Sequence, residues 1–164
     1  MVQQKLMARS VQSGEASSFR VITDIVTTLA TGEDTGGAYS MFESRTPPGS
    51  GVPPHFQRNE DETFFVLEGS YEFLIGDEKV TLGPGGYGFV PRDTVHAFTN
   101  VGQAEARMMI LNVPGGYHEH FFSEVGEAVS SATNPEPPAG PPDFEHIVSI
   151  AAKYGIEILP PPGE

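Results

Sequence analysis

Two neighbouring stretches of the chain decide its fold: PPHFQRNEDETFFVLEG at residues 53–69 and GGYGFVPRDTVHAFTN at residues 85–100. Both contain short runs rich in Val, Phe and Thr that are bounded by Gly and Pro, a pattern typical of strands joined by tight turns. Working outward, similar runs occupy residues 19–29, 38–45, 52–57, 62–68, 71–75, 79–82, 87–90, 96–100 and 104–112. Many short strands at this spacing predict an all-β sandwich or barrel.

Two histidines and an acidic patch within these stretches indicate a metal site. Side chains two residues apart on a strand share a face, so His55 and Gln57 project together, and His96 begins another strand. The acidic residues 60–62 lie between them. Two histidines and one carboxylate inside a barrel are the ligand set of non-haem Fe(II) sites, and the set also suits Mn, Co, Ni and Zn. We therefore expect one divalent transition metal whose identity the ligands leave open.

The spacing of these residues resembles the two signature motifs of the cupin superfamily. In the first motif, His-x-His is followed by three or four residues, Glu, six residues and Gly; this chain reads His55-Phe56-Gln57, four residues, Glu62, six residues and Gly69. Its leading glycine is displaced, since Gly51 lies only three residues before His55.

The second motif has Gly, five residues, Pro, x, Gly, two residues, His, three residues and Asn. The chain matches it at Gly85, Pro91, His96 and Asn100, with Asp93 in the place of the turn glycine. Aspartate tolerates left-handed turn geometry better than most residues, so we expect this change to be mild.

The resemblance to cupins implies a fold and an oligomeric state, and it points to one group within the superfamily. It implies a double-stranded β-helix, the jelly-roll barrel, with a metal pocket and short C-terminal helices, usually as a homodimer. The helix predicted at residues 117–125 and the closing residues 152–156 give the chain the look of bacterial quercetinase-like cupins. An apolar run at 19–29 and the N-terminal arm are the segments we expect to pair with a second copy.

Gln57 stands where the family has its second metal histidine, and three interpretations are open. Gln57 uses its amide oxygen as a weak fourth ligand; or it stands back, and His55, Glu62 and His96 form a three-ligand site; or the site holds no metal. An amide oxygen is a poorer ligand than imidazole for late divalent metals.

Glu62 is the acidic ligand that the six-residue gap to Gly69 selects, and Glu60 and Asp61 are interpreted as a solvated turn. Glu62 is also the candidate general base, a role that requires burial to raise its pKa toward neutrality. Phe64 and Phe98 lie two residues beyond metal ligands, so they point inward either as core or as the lining of a substrate pocket.

The remaining histidines and two arginines have weaker claims. His118 and His120 lie about 200° apart on a helix and cannot share an ion, so we expect surface or helix-cap positions, or a place for one of them beside the pocket. His146 is expected to be solvated. Arg92 and Arg107 are expected to form ion pairs with nearby acids.

Sequence texture divides the chain into four segments: an N-terminal arm at 1–17, the barrel with its following helix at 18–126, a Pro-rich connector at 127–142, and a helix and tail at 143–164. The last helix has Asp143 near its start, Gly155 past its end, and one apolar stripe of Phe144, Ile147, Val148 and Ala151.

Composition bounds the function. The 164 residues contain no cysteine, which excludes disulfides and thiolate metal sites, and the net charge of −13 disfavours nucleic acid and anionic membranes as partners. With no signal-like apolar segment, a cytoplasmic location is expected. The glycine loop at 83–86 lacks a following lysine or helix start, so no nucleotide cofactor is expected.

By this resemblance, the leading functional prediction is a metal-dependent, quercetinase-like dioxygenase that acts on a small aromatic or enol-type substrate in the barrel. The first alternative is a non-enzymatic sensor or small-molecule-binding cupin, which Gln57 favours. The second is a metal-dependent isomerase or lyase. Because one fold supports many different reactions, the residues of the site, and not the fold, must distinguish these three functions.

Overall fold

A computed structural model describes residues 6–160 of the chain, and within them β-strands predominate. A short 3-10 turn, Ser13–Glu15, precedes the strands. The strands are β1 (Ser18–Val21), β2 (Asp24–Ala30), β3 (Ser40–Thr46), β4 (Gly51–Gln57), β5 (Asp61–Glu68), β6 (Tyr71–Ile75), β7 (Glu78–Leu82), β8 (Tyr87–Val90), β9 (His96–Asn100), β10 (Ala106–Val113), β11 (Glu127–Val129) and β12 (Ile156–Ile158). The two helices are α1 (His118–Val125) and α2 (Phe144–Lys153).

The strands form two antiparallel sheets that confirm the predicted jelly-roll architecture. One sheet has the order β11-β1-β2-β3-β10-β5-β8, and the other has the order β12-β4-β9-β6-β7. Sequence neighbours are often separated in these orders, as where β10 lies between β3 and β5. This crossing between sheets brings distant motifs to one interior.

Alternating side chains supply the core between the sheets. Along β10, Ala106, Met108 and Ile110 are buried, whereas Arg107 points outward to Glu43 and Glu68. This period of two is what a strand with one buried face requires. The inward faces of both sheets therefore form one hydrophobic core.

Two turns of the signature motifs have left-handed backbone. Gly69 follows β5 with φ of 80°, and a Cβ there would lie 2.5 Å from the Cβ of Ala106, so glycine is required. Asp93 has φ of 63°, which confirms that aspartate occupies the left-handed turn in place of the motif's glycine.

The run at 19–29 was predicted as one strand, and this is wrong. Ile22 and Thr23 form a two-residue turn between β1 and β2, and Ile22 has φ of 58°. β1 also pairs with β11 on its other side. Both edges of β1 are therefore occupied within the chain, and the expected pairing of this run and the N-terminal arm with a second copy stays a prediction.

The C-terminal segment extends the five-stranded sheet at the edge of β4, the strand that carries His55 and Gln57. Asp143 caps α2 by accepting a hydrogen bond from the backbone N–H of His146 at 3.0 Å, and Gly155 ends it with φ of 73°. β12, which the sequence analysis missed, then pairs with β4. Only half of the predicted apolar stripe is buried: Ile147 and Ala151 are, while Phe144 and Val148 are exposed.

Across residues 6–160, helices are too short and too polar to pass through a bilayer.

Candidate metal centre

Three strands bring the predicted ligands together. His55 near the end of β4 lies directly opposite His96 at the start of β9, and Glu62 lies on β5 in the facing sheet. One ligand atom from each of His55, Glu62 and His96 lies within 4.8 Å of the other two. Glu62 and His96 are almost fully buried, so the cluster lies inside the barrel.

The two imidazoles are oriented in the same way by the backbone. The Nδ1 of His55 donates to the carbonyl oxygen of Pro53, and the Nδ1 of His96 donates to that of Thr94, both at 2.9 Å. Carbonyl oxygens only accept, so each Nδ1 carries a proton and each Nε2 is left for other partners. Such bonds orient metal-binding histidines in proteins.

Glu62 is the centre of the polar contacts. Its Oε2 lies 2.8 Å from the Nε2 of His96 and accepts from the Nε2 of Gln57 at 2.7 Å, and its Oε1 accepts from Asn112 at 3.3 Å. Burial alone would raise the pKa of Glu62, but the His96 contact and the nearby His118 outweigh it and hold that pKa well below its usual range. The direction is opposite to the rise that a neutral-pH general base requires.

The donor set fits a divalent cation. Since the Nδ1 of His96 already carries a proton, its Nε2 and the Glu62 carboxylate face each other as two lone-pair groups unless a second proton or a cation lies between them. Burial, and next the neighbouring imidazole of His96, lower the pKa of His55 to about 3, so the His55 imidazole is neutral and available as a ligand. His55, Glu62 and His96 are therefore the residues that would hold a metal.

Gln57 lies beside the three donors and is fully buried. Its Nε2 lies 2.7 Å from Glu62 and 3.5 Å from the Nε2 of His96, while its Oε1 has no hydrogen-bond partner. An amide rotated by 180° would aim this unpartnered oxygen at the cluster. The amide of Gln57 donates to Glu62 in the cluster as it stands, and the three interpretations of Gln57 (weak ligand, bystander, metal-free site) stay predictions.

An apolar cavity of about 70 Å³ adjoins the cluster. His55 and Glu62 line it together with Phe64, Phe98 and Ile110. Phe64 and Phe98 pack with their ring centroids 5.9 Å apart. Phe64 and Phe98 are therefore core residues that also form part of the cavity wall, next to His55 and Glu62.

Two expectations from the sequence are wrong at the neighbouring pair Glu60 and His118. Glu60 is not in a solvated turn but is 1% exposed, and His118 is 4% exposed rather than on the surface. The carboxylate of Glu60 contacts the Nδ1 of His118, which also lines the cavity. Sequence reasoning admitted a place for His118 or His120 beside the pocket, but nothing in the local pattern pairs His118 with Glu60.

The other candidates lie outside the cavity. Arg92 forms a two-pronged pair with Asp61, and Arg107 bonds Glu43 and Glu68, which confirms the ion-pair interpretation. His120 and His146 are exposed, and His120 stacks on Tyr154.

A further acidic group, Asp24, lines the cavity and was missed. Its position at the start of β2 was hidden by the interpretation of residues 19–29 as a single strand.

Two antiparallel sheets enclose the His-His-Glu cluster in a jelly-roll barrel, and this donor set fits a divalent metal. Residues 42–113 match the family model described as the cupin domain. Over these residues the chain is similar to the cupin domain, in agreement with the resemblance that the sequence motifs carry.

Curated relatives extend the comparison. The chain is 26% identical over 152 residues to quercetin 2,3-dioxygenase of Bacillus subtilis, a match that covers 92% of this chain and 44% of the relative. It is 32% identical over 59 residues to an uncharacterized protein of Aquifex aeolicus, covering 36% of this chain and 49% of that one. The chain thus spans about half the length of these relatives.

Solved structures agree on the fold. A predicted oxalate decarboxylase from Thermotoga maritima superposes with a TM-score of 0.61 at 21% identity, over 65% of this chain and 99% of that one. A polyketide cyclase from Streptomyces resistomycificus gives 0.58 at 23% identity, over 65% and 80%. At these identities the likeness concerns the fold alone.

Proposed function

We propose that the protein is a metal-dependent oxygenase that acts on a small aromatic or enol-type substrate inside the barrel. The observation that carries the proposal is the cluster of His55, Glu62 and His96 at the wall of an apolar cavity. The similarity to a quercetin 2,3-dioxygenase over most of this chain supports the same reaction class.

The cavity argues for a small substrate. Its volume of about 70 Å³ is below the range of about 300–1,000 Å³ typical of pockets that hold drug-sized ligands. A single-ring catechol or a short enediol suits it better than a three-ring flavonol. We therefore expect this protein to act on a smaller substrate than the quercetin 2,3-dioxygenase to which it is similar.

The chain's own residues bind, orient and shield the substrate. Phe64 and Phe98 contact its apolar part and keep water from the reacting atoms. A bound divalent metal would supply Lewis-acid activation of a substrate oxygen and a fixed orientation toward dioxygen, the co-substrate. Glu62 is ionised and accepts hydrogen bonds, but its low pKa makes it a weak base; its role as proton acceptor stays a prediction.

A second candidate is a non-enzymatic small-molecule-binding cupin, and a specific contact favours it. The 2.7 Å hydrogen bond from Gln57 to Glu62 satisfies the carboxylate without a metal. A metal-dependent isomerase or lyase is a third possibility, against which the apolar cavity wall counts. That class requires no dioxygen, so oxygen uptake separates it from the first.

The first test is the metal content of tag-free protein, measured by plasma mass spectrometry for the wild type, His55→Ala and Gln57→His. We expect near-stoichiometric metal in the wild type and its loss in His55→Ala. Wild-type protein that is empty and fills only in Gln57→His would overturn the oxygenase proposal and leave the binding module in its place.

Oxygen uptake then tests the reaction itself. Metal-loaded protein is supplied with catechol, an enediol and a flavonol in an oxygen-electrode cell. Uptake with the smaller substrates is the expected result. Turnover in the absence of oxygen would point instead to the isomerase or lyase.

A further inference from the structure

A second pair of polar side chains, His118 and Glu60, lies next to the cavity but outside the cluster of candidate metal ligands. His118 is the first residue of α1 and Glu60 lies in the turn between β4 and β5, so the pair joins segments 58 residues apart. Both side chains are buried. His118 lines the same cavity as His55 and Glu62, but it lies outside the compact three-donor cluster.

The contact with Glu60 fixes which ring nitrogen of His118 is free. Its Nδ1 is bound to the Glu60 carboxylate, so the imidazole is held in one orientation with a proton on that atom. The Nε2 has no hydrogen-bond partner among residues 6–160. The Nε2–H of His118 is therefore a free hydrogen-bond donor of fixed orientation at the cavity wall. Such a group is suited to bind a ligand in the cavity.

Helix α1 holds this ring rigidly. The carboxylate of Glu119 accepts a hydrogen bond from the backbone N–H of Gly32 at 2.6 Å, which ties the start of the helix to the loop after β2. Phe122 packs edge-on against Phe42 at 5.0 Å between ring centroids. These contacts place His118 independently of any ligand.

His118 is also the cationic group of the cavity. Burial disfavours its charge, but Glu60, with help from Glu62 and Glu119, raises the pKa of His118 to about 9. His55 is neutral by comparison. None of the arginines and lysines in the described part of the chain lines this cavity.

We propose that His118, positioned by Glu60, is a substrate-binding residue whose Nε2–H donates to an anionic oxygen of the substrate. The inference rests on the proposed function and narrows it. If a metal held by His55, Glu62 and His96 binds one substrate oxygen, His118 would be the partner for a second charged oxygen, of a carboxylate, enolate or catecholate. The cavity then selects anionic molecules over neutral ones of the same size.

Azide is the probe for this role, because it is a small anion that binds open metal positions. Cobalt-loaded wild type, His118→Phe, His118→Gln and Glu60→Gln are titrated with azide, and binding is followed by the visible cobalt bands and the infrared azide stretch. His120→Phe is the matched control, since it removes an exposed imidazole from the same helix. Cobalt content and thermal unfolding are measured for every variant.

We expect His118→Phe to weaken azide binding by about tenfold or more with cobalt content unchanged, as the loss of a hydrogen bond to a charged partner predicts. His118→Gln, which keeps a neutral donor, should retain part of the affinity. Glu60→Gln should weaken binding and shift the azide stretch, a change that a purely structural role would not cause. His120→Phe should match the wild type.

Three results would overturn the inference. They are wild-type azide affinity in His118→Phe, loss of cobalt in that variant, which would make His118 a metal ligand, and no azide binding to cobalt-loaded wild type. If wild-type protein retains no cobalt, the proposed function fails, and the infrared titration of metal-free protein decides the role of His118. If His118→Phe does not fold, His118→Gln and Glu60→Gln carry the test.

Discussion

Asp24 is a buried carboxyl group that forms no ion pair with any cation in residues 6–160. It is 3% exposed, and its Oδ2 accepts hydrogen bonds from Ser44 at 2.9 Å and Thr46 at 2.7 Å. The hydroxyl of Tyr71 donates in turn to Thr46. Burial raises the pKa of Asp24 from 3.8 to about 6, because these hydroxyl donors only partly replace water around the charge.

This pKa gives the fold a defined pH dependence. The folded state binds the Asp24 proton more tightly than the unfolded state, so the resulting stability is full below about pH 4 and is lost as pH rises through about 6. The size is about 3 kcal/mol. In Asp24→Asn we expect the free energy of unfolding to lose this decline between pH 4 and 8, as measured by urea denaturation.

The exposed Asp77 supplies the control, since Asp77→Asn should leave the wild-type pH dependence in place. A decline that persists unchanged in Asp24→Asn would show that the group is ionised without cost in the folded protein.

At the level of single residues, the spacing of the two motifs is enough to predict the candidate metal ligands from the sequence. The spacing selected Glu62 over Glu60, and the structure places Glu62, His55 and His96 in one cluster. It could not find the pairing of Glu60 with His118, because acidic residues and histidines beside loops are usually solvated and no periodicity links positions 58 apart. Buried polar pairs of this kind are visible only in three dimensions.

Among the secondary-structure elements, β12 couples the C-terminal segment to the candidate site. Ile156 lies opposite Gln57 and Ile158 opposite His55, so this short strand covers the edge of β4, which carries the first part of the motif. Ile156 is 2% exposed and belongs to the main core. The segment after the Pro-rich connector is thus part of the barrel rather than an appended tail.

Removing the side chain of Ile156 should therefore destabilise the whole fold. We expect Ile156→Ala to lower the free energy of unfolding by about 2–4 kcal/mol, since it deletes buried methyl groups and leaves a cavity. Chemical denaturation measures the change. Val148→Ala, on the exposed side of α2, is the control and should stay within about 0.5 kcal/mol of the wild type. Equal effects of the two substitutions would show that β12 does not pack as described.

Element boundaries follow from the sequence wherever Gly and Pro punctuate it. The runs at 71–75, 87–90 and 96–100 coincide with β6, β8 and β9. The turn at Ile22 escaped because a β-branched residue rarely adopts positive φ, and glycine is the usual signal for such a hairpin. β12 escaped because three residues after a helix carry no strand pattern of their own, and distant pairing with β4 creates the strand.

At the scale of the whole molecule, the outer face of β5 and β8 is unusual because it exposes large aromatic side chains to solvent. Phe65, Tyr87 and Phe89 are 43%, 62% and 50% exposed, and Phe65 lies directly opposite Tyr87. β8 is also an edge strand of its sheet. Exposed aromatic patches of this kind are typical of protein interfaces. We propose this face as the interface of the predicted homodimer.

Replacing Phe89 with a charged residue tests that assignment. The free-energy cost of burying an unpaired glutamate between two copies would exceed the free energy of association. We expect the wild type to sediment as a dimer and Phe89→Glu as a monomer in velocity ultracentrifugation. Phe144→Glu on α2 is a matched control, since Phe144 is also 50% exposed but lies on another surface, and it should leave the dimer intact. A monomeric wild type would contradict the homodimer, and dissociation by Phe144→Glu alone would move the interface to α2.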